Sequence, residues 1–149
     1  MRPRASLVLP LISQAFALGR EAVQVDNILY PFALCLTSAG NVEALHLPEP
    51  AADISPRDLY SQVEKRVQQS QGGMAVTALA IVSDVTLPES LGLTPLDAIR
   101  VFVETVGYAR YFYLPYSCEQ QSERIGDSKL PVTTFGVQLS VEAKPRYFP

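Results

Sequence analysis

Arg100, Tyr111 and Tyr113 are the residues of this chain whose types and spacing best suit specific recognition. They fall in the stretch Asp97 to Tyr116, DAIRVFVETVGYARYFYLPY, which reads as a β-hairpin turning at Val106-Gly107. In that register Arg100 opposes Tyr113 and Phe102 opposes Tyr111. One face then carries Ile99, Val101, Val103, Phe112 and Leu114, which is plain core. The other carries Ala98, Arg100, Phe102, Glu104, Tyr111 and Tyr113. A guanidinium beside tyrosine rings stacks on them and still offers its fork to a carboxylate. Two readings of this face compete. Glu104, or Asp84 near the end of an earlier strand, holds Arg100, and the face is solvated sheet with cross-strand pairs. Alternatively Asp84, Arg100, Glu104, Tyr111 and Tyr113 form a surface for a protein partner, a second copy of the chain or a small ligand.

Cys35 and His46 are the one possible nucleophile–base pair. If Ala39-Gly40 forms a two-residue loop, Ala33 opposes His46 and Cys35 opposes Ala44, which makes Cys35 and His46 diagonal neighbours. A reactive thiol also needs an orienting group for its base. Glu43 lies on the opposite face, and a one-residue change of register removes the pairing altogether. The plain alternative is a buried cysteine acting as a small hydrophobe. With two cysteines and one histidine in the chain, and no CxxC, a zinc site is not expected. P-loop, GxGxxG, HExxH, GxSxG and EF-hand patterns are absent from the sequence, so no catalytic residue, cofactor or metal is assigned.

The bulk composition narrows the classes further. The 149 residues are 48% hydrophobic and 18% charged, which suits a single domain spanning 1–149. A formal charge of −3 and a pI near 5.1 give no general attraction to phosphate backbones, and no Lys/Arg run supplies a local one, so nucleic acid is not an expected partner. No run approaches the ~20 apolar residues of a membrane helix. Arg2 and Arg4 before Leu7 to Ile12, with Ala15-Phe16-Ala17, have a superficial signal-peptide form. The apolar run is short and broken by Pro10, so an integral helix and a cytoplasmic protein with free thiols are expected. Secretion or a periplasmic location, and a Cys35–Cys118 disulfide, are the alternatives.

These residues need a scaffold. Pro10 to about Gly19 reads as a helix, with Gly19 as its stop, and residues 21–29 as a connector. Tyr30 to Leu47 reads as a hairpin around Ser38-Ala39-Gly40-Asn41. Ser55-Pro56-Arg57-Asp58 starts a second helix, with Ser55 capping and Leu59, Val63 and Val67 inward beside Tyr60; Gly72-Gly73 ends it. Met74 to Leu87 is apolar on both faces in its middle, the mark of a central strand. Thr94-Pro95-Leu96-Asp97 repeats the helix-start grammar, so residues 94–106 are open to a helical reading. Their β-branched and aromatic content favours strand. Residues 117–130 read as a polar loop, Val132 to Val141 as a last strand interrupted by Gly136, and Tyr147 and Phe148 as a tail that tucks back.

The expected fold is therefore α+β. It is a mainly antiparallel sheet of five to six strands with two helices packed on a face, in the order α-β-β-α-β-β-β-β. That order is similar to the order of elements in profilin-like and roadblock-like domains, which assigns no activity. The phrases YPFALCLTSAGNVEAL, ALAIVSDVTL, DAIRVFVE, YFYLPYS and PRYF resemble a family of small bacterial single-domain proteins without an assigned activity. The resemblance implies a compact domain and carries no catalytic residue across. The function expected is non-enzymatic association, by homodimerisation or partner docking through the Arg/Tyr face. The alternatives are a cysteine-dependent enzyme and a small-ligand-binding protein.

Overall fold

The computed structural model describes residues 4–26, 29–45, 56–70, 76–87, 97–120 and 131–147. It is an α+β arrangement: α1 (Arg4–Asp26), β1 (Phe32–Thr37), β2 (Val42–Ala44), α2 (Pro56–Ser70), β3 (Val76–Thr86), β4 (Asp97–Thr105), β5 (Tyr108–Gln120), β6 (Pro131–Phe135) and β7 (Leu139–Glu142). The strands run β2-β1-β3-β4-β5-β6 across one sheet, with β7 also on β5, and the pairings are antiparallel.

The two helices lie on opposite faces, where packing on one face was expected. Val8, Leu11, Ile12, Ala15, Phe16 and Val23 of α1 cluster with Leu34, Ala80, Val82, Ile99, Val101, Val103 and Leu114. Val63 and Val67 of α2 cluster with Ala33, Cys35, Leu79, Ile81 and Phe102 on the reverse side. β3 lies between β1 and β4 and is buried on both faces, which accounts for its unbroken apolar middle.

α1 is longer than its sequence suggests at both ends. Pro10 sits inside the helix, on its exposed side, where the carbonyl it leaves unbonded can reach water. An interior proline costs about 3 kcal/mol. Each fully buried large aliphatic or aromatic side chain returns roughly 1.5–3 kcal/mol, so the stripe from Val8 to Val23 outweighs that cost. Gly19 does not stop the helix. It lies on the buried stripe, and a Cβ there would stand 3.0 Å from Ile99 Cγ2. Its small size lets the helix approach the sheet closely.

The β4–β5 hairpin has the expected register. Arg100 pairs with Tyr113, Phe102 with Tyr111 and Thr105 with Tyr108. Val106-Gly107 is the two-residue connection, with Gly107 at φ +75°. Residues 97–105 are thus strand, and the helix grammar of Thr94-Pro95 falls largely outside the described residues. β5 runs on to Gln120, past the start of the expected polar loop, whose remainder at 121–130 is also outside them.

The final strand is split. Tyr116 pairs with Phe135 but Tyr113 pairs with Leu139, a shift of one residue at Gly136. Pro115 faces that point and has no N–H for the ladder, while its carbonyl accepts the Gly136 N–H at 2.8 Å.

The β1–β2 register differs by one residue from the expectation. Cys35 pairs with Glu43 and Leu34 with Ala44. The Thr37 N–H donates to the Asn41 carbonyl at 2.9 Å, which closes a three-residue loop in which Gly40 adopts φ +87°. Cys35 opposite Ala44 is therefore corrected, while the expected pairing of Ala33 with His46 falls outside the described residues. His46 itself, the Ser55 cap, the Gly72-Gly73 stop and Phe148 lie outside the described residues.

Candidate functional site

Alternation along β4 sends Arg100 to the α2 face, and Ser83 lies directly opposite it on β3. α2 covers β1 and β3 on this side without closing over β4. The space left between helix and sheet is a cleft of about 610 Å³, within the usual range for a small-molecule site of ~300–1,000 Å³. Its polar lining comes from Arg57, Tyr60, Ser61 and Glu64 of α2, and from Ser83 and Arg100 of the sheet.

Aromatic rings fix Arg100 in place. Its guanidinium carbon stands 5.4 Å from the centroid of the Tyr60 ring and 5.2 Å from that of Tyr111. Such contacts stabilise a cation by about 0.5–2 kcal/mol. Tyr111 is itself held, with its ring 5.0 Å from that of Phe102, which in turn meets Tyr147 at 6.2 Å. The Tyr60 phenol is pushed up by burial, an effect that the Arg100 charge partly offsets.

Among the described residues, two buried polar atoms in this cleft have no hydrogen-bond partner: Arg100 Nε and Ser83 Oγ. Ser83 is only 4% exposed. Among the described residues Arg100 forms no salt bridge. A buried polar atom without a partner costs roughly 1–3 kcal/mol, and these two lie on adjacent strands beside one cleft.

The carboxylates expected to hold Arg100 are engaged elsewhere. Asp84 pairs with Ile99, so alternation turns its side chain to the α1 face. There its Oδ1 accepts the Tyr116 hydroxyl at 2.8 Å. Its carboxyl is raised by burial, while the Tyr116 bond pulls in the opposite direction. Glu104 is fully buried, and its carboxylate accepts the backbone N–H of Arg146 at 2.8 Å and of Tyr147 at 3.0–3.1 Å. It therefore anchors the C-terminal segment under α2. Glu64 takes Arg146 Nη1–H and the Tyr147 hydroxyl, each at 3.2 Å. Tyr113, at 7% exposure, packs with Leu87 and Ala98. Of the five candidates from the sequence, Arg100 and Tyr111 thus meet in the site, Asp84 contributes to its wall, and Glu104 and Tyr113 are buried beside it.

Cys35 is a free cysteine, 1% exposed, within the core beneath α2. Burial and the nearby Glu43 charge both push its thiol up, away from the reactive thiolate. No group of three or more His, Cys, Asp or Glu able to hold a metal occurs among the described residues. No described helix is long and apolar enough to cross a membrane.

Tyr60, Ser83 and Arg57 are site residues that the sequence reading did not pick out. Ser83 carries a signal, since it is a hydroxyl inside the otherwise apolar run ALAIVSD. Tyr60 and Arg57 become site residues only through the placement of α2. Comparison with protein-family models, with curated proteins and with solved structures returned no match.

Proposed function

We propose that this protein works by binding, without catalysis, and that its recognition element is the cleft at Arg100, which accepts an acidic group of a ligand or partner. The observation that carries this reading is the state of Arg100. Two tyrosine rings hold the guanidinium, yet among the described residues its Nε has no acceptor. A cation oriented but uncompensated by the carboxylates of the described residues suits an external anion. The neighbouring carboxylates are already engaged, Glu64 by Arg146 and Tyr147 and Asp84 by Tyr116, which leaves little for acid–base work. Association through a flat Arg/Tyr sheet face is narrowed accordingly, because Glu104 and Tyr113 are covered within the chain. A partner, or a second copy of this chain, docks by inserting an acidic group into the cleft. A cysteine-dependent reaction draws no support from a buried thiol with a raised pKa.

The test is a ¹⁵N-resolved NMR titration with sodium acetate against sodium chloride at matched ionic strength. The reading expects acetate-specific shifts centred on Tyr60, Ser83 and Arg100. Shifts that are absent, or equal for the two salts, contradict it.

A further inference from the structure

We infer that the cleft selects a planar monocarboxylate with an apolar body over phosphate or sulfate. This rests on the binding reading above and specifies the chemistry of the ligand.

The Tyr60 and Tyr111 rings flank the Arg100 guanidinium. With rings against the guanidinium, the group's edge is what remains to bind. The unpartnered Nε–H belongs to that edge but is closed to solvent, so a carboxylate reaches it, together with a terminal N–H in the side-on fork that matches its two oxygens, by parting the side chains over it. Ser83, directly across the ladder, adds an unpartnered hydroxyl from the cleft floor. A flat two-oxygen acceptor satisfies these donors together.

The backbone argues against phosphate. Phosphate sites commonly use backbone N–H groups at a helix N-terminus. Here α2 opens on Pro56, which has no N–H, and Asp58 in its first turn places a carboxylate where such an anion would sit. The remaining wall is apolar, from Leu29, Pro31 and Val85 with the ring of Tyr30, which suits a hydrocarbon or aromatic body.

The experiment measures affinities of the intact chain for sodium phenylacetate, sodium hexanoate, inorganic phosphate and sulfate by NMR titration and calorimetry. An uncharged peptide ending in phenylalanine, with a free or an amidated C terminus, is included. Phenylacetate or hexanoate is expected to bind at least about tenfold more tightly than phosphate or sulfate. Arg100→Lys, which keeps the charge but loses the fork, is expected to weaken carboxylate binding about tenfold. Ser83→Ala is expected to weaken it several-fold. Peptide binding that needs the free C terminus supports the same chemistry and identifies a chain end as a source of the carboxylate. Phosphate or sulfate binding as tightly as the carboxylates overturns the inference and leaves the cleft as an anion site. Carboxylate binding that is the same in Arg100→Lys overturns the inference, and carboxylate effects that are absent altogether overturn both the inference and the binding reading.

Discussion

Ser83 and Arg100 face each other across the β3–β4 ladder, and each keeps a buried polar atom without a hydrogen-bond partner. Folded chains normally satisfy such atoms, because leaving one bare costs roughly 1–3 kcal/mol. The pair is therefore a local cost to stability that a bound acceptor would remove. Ser83→Ala deletes a hydroxyl that has no bond to lose. It should leave the free protein as stable as wild type or raise its stability by up to about 1 kcal/mol in urea unfolding. A loss of more than about 1 kcal/mol would show that the hydroxyl is bonded in the free protein.

Tyr60 holds Arg100 from the helix side. Tyr60→Phe keeps the ring and should preserve carboxylate binding within about twofold. Tyr60→Leu keeps bulk but loses the ring quadrupole, worth about 0.5–1 kcal/mol, so binding should weaken about two- to fivefold. Titration of the two variants with phenylacetate separates ring from volume; equal affinities would remove the cation–π contact from the account.

Glu104 has a structural task. Its buried carboxylate receives the N–H groups of residues 146 and 147 and so ties the end of the chain to β4. Hydrogen bonds to a charged group contribute about 1.5–3 kcal/mol. Glu104→Ala should lower the unfolding free energy by about 3 kcal/mol and expose residues 144–147 to carboxypeptidase. An unchanged urea midpoint with a protected C terminus would show that the segment is held by other means.

Tyr147 sets a pH dependence. Burial, followed by the Glu64 charge and its hydrogen bond, raises the phenol well above its ordinary value of 10.0. Burial raises Tyr60 and Tyr108 in the same direction. The folded state then holds these protons more tightly than the unfolded chain. Their contribution is complete below about pH 10, the ordinary tyrosine value, and is lost as pH rises from there toward the folded-state values. Urea unfolding should show constant behaviour of these groups from pH 7 to 9 and falling stability from pH 10 to 11, with a shallower fall in Tyr147→Phe. Equal slopes would contradict the assignment.

Much of the frame is legible in the chain. The strands β3, β4 and β5 follow from alternation, and Val106-Gly107 sets the β4–β5 register because a two-residue loop leaves one pairing. Ser38-Ala39-Gly40-Asn41 is not decisive in the same way. The same letters close a two-residue loop or a three-residue one, and the observed three-residue loop moves Cys35 from Ala44 to Glu43. Gly19 reads as a helix stop, since closeness to Ile99 is a tertiary fact. Arg100 could be found by its neighbours on β5. Tyr60 could not, because which face of the sheet α2 covers is not written in α2. Asp84 illustrates the alternation rule, since it adjoins Ser83 in sequence but its carboxylate meets Tyr116 on the other side of the sheet.

On the proposed reading Arg100 awaits an external carboxylate. The most direct measurement is the Arg100 side-chain Nε–H resonance, assigned by its loss in Arg100→Lys and followed during titration with sodium phenylacetate. A saturable downfield shift and slower exchange with water are expected as the hydrogen bond forms. A resonance that keeps its position and exchange rate at saturating phenylacetate would contradict it.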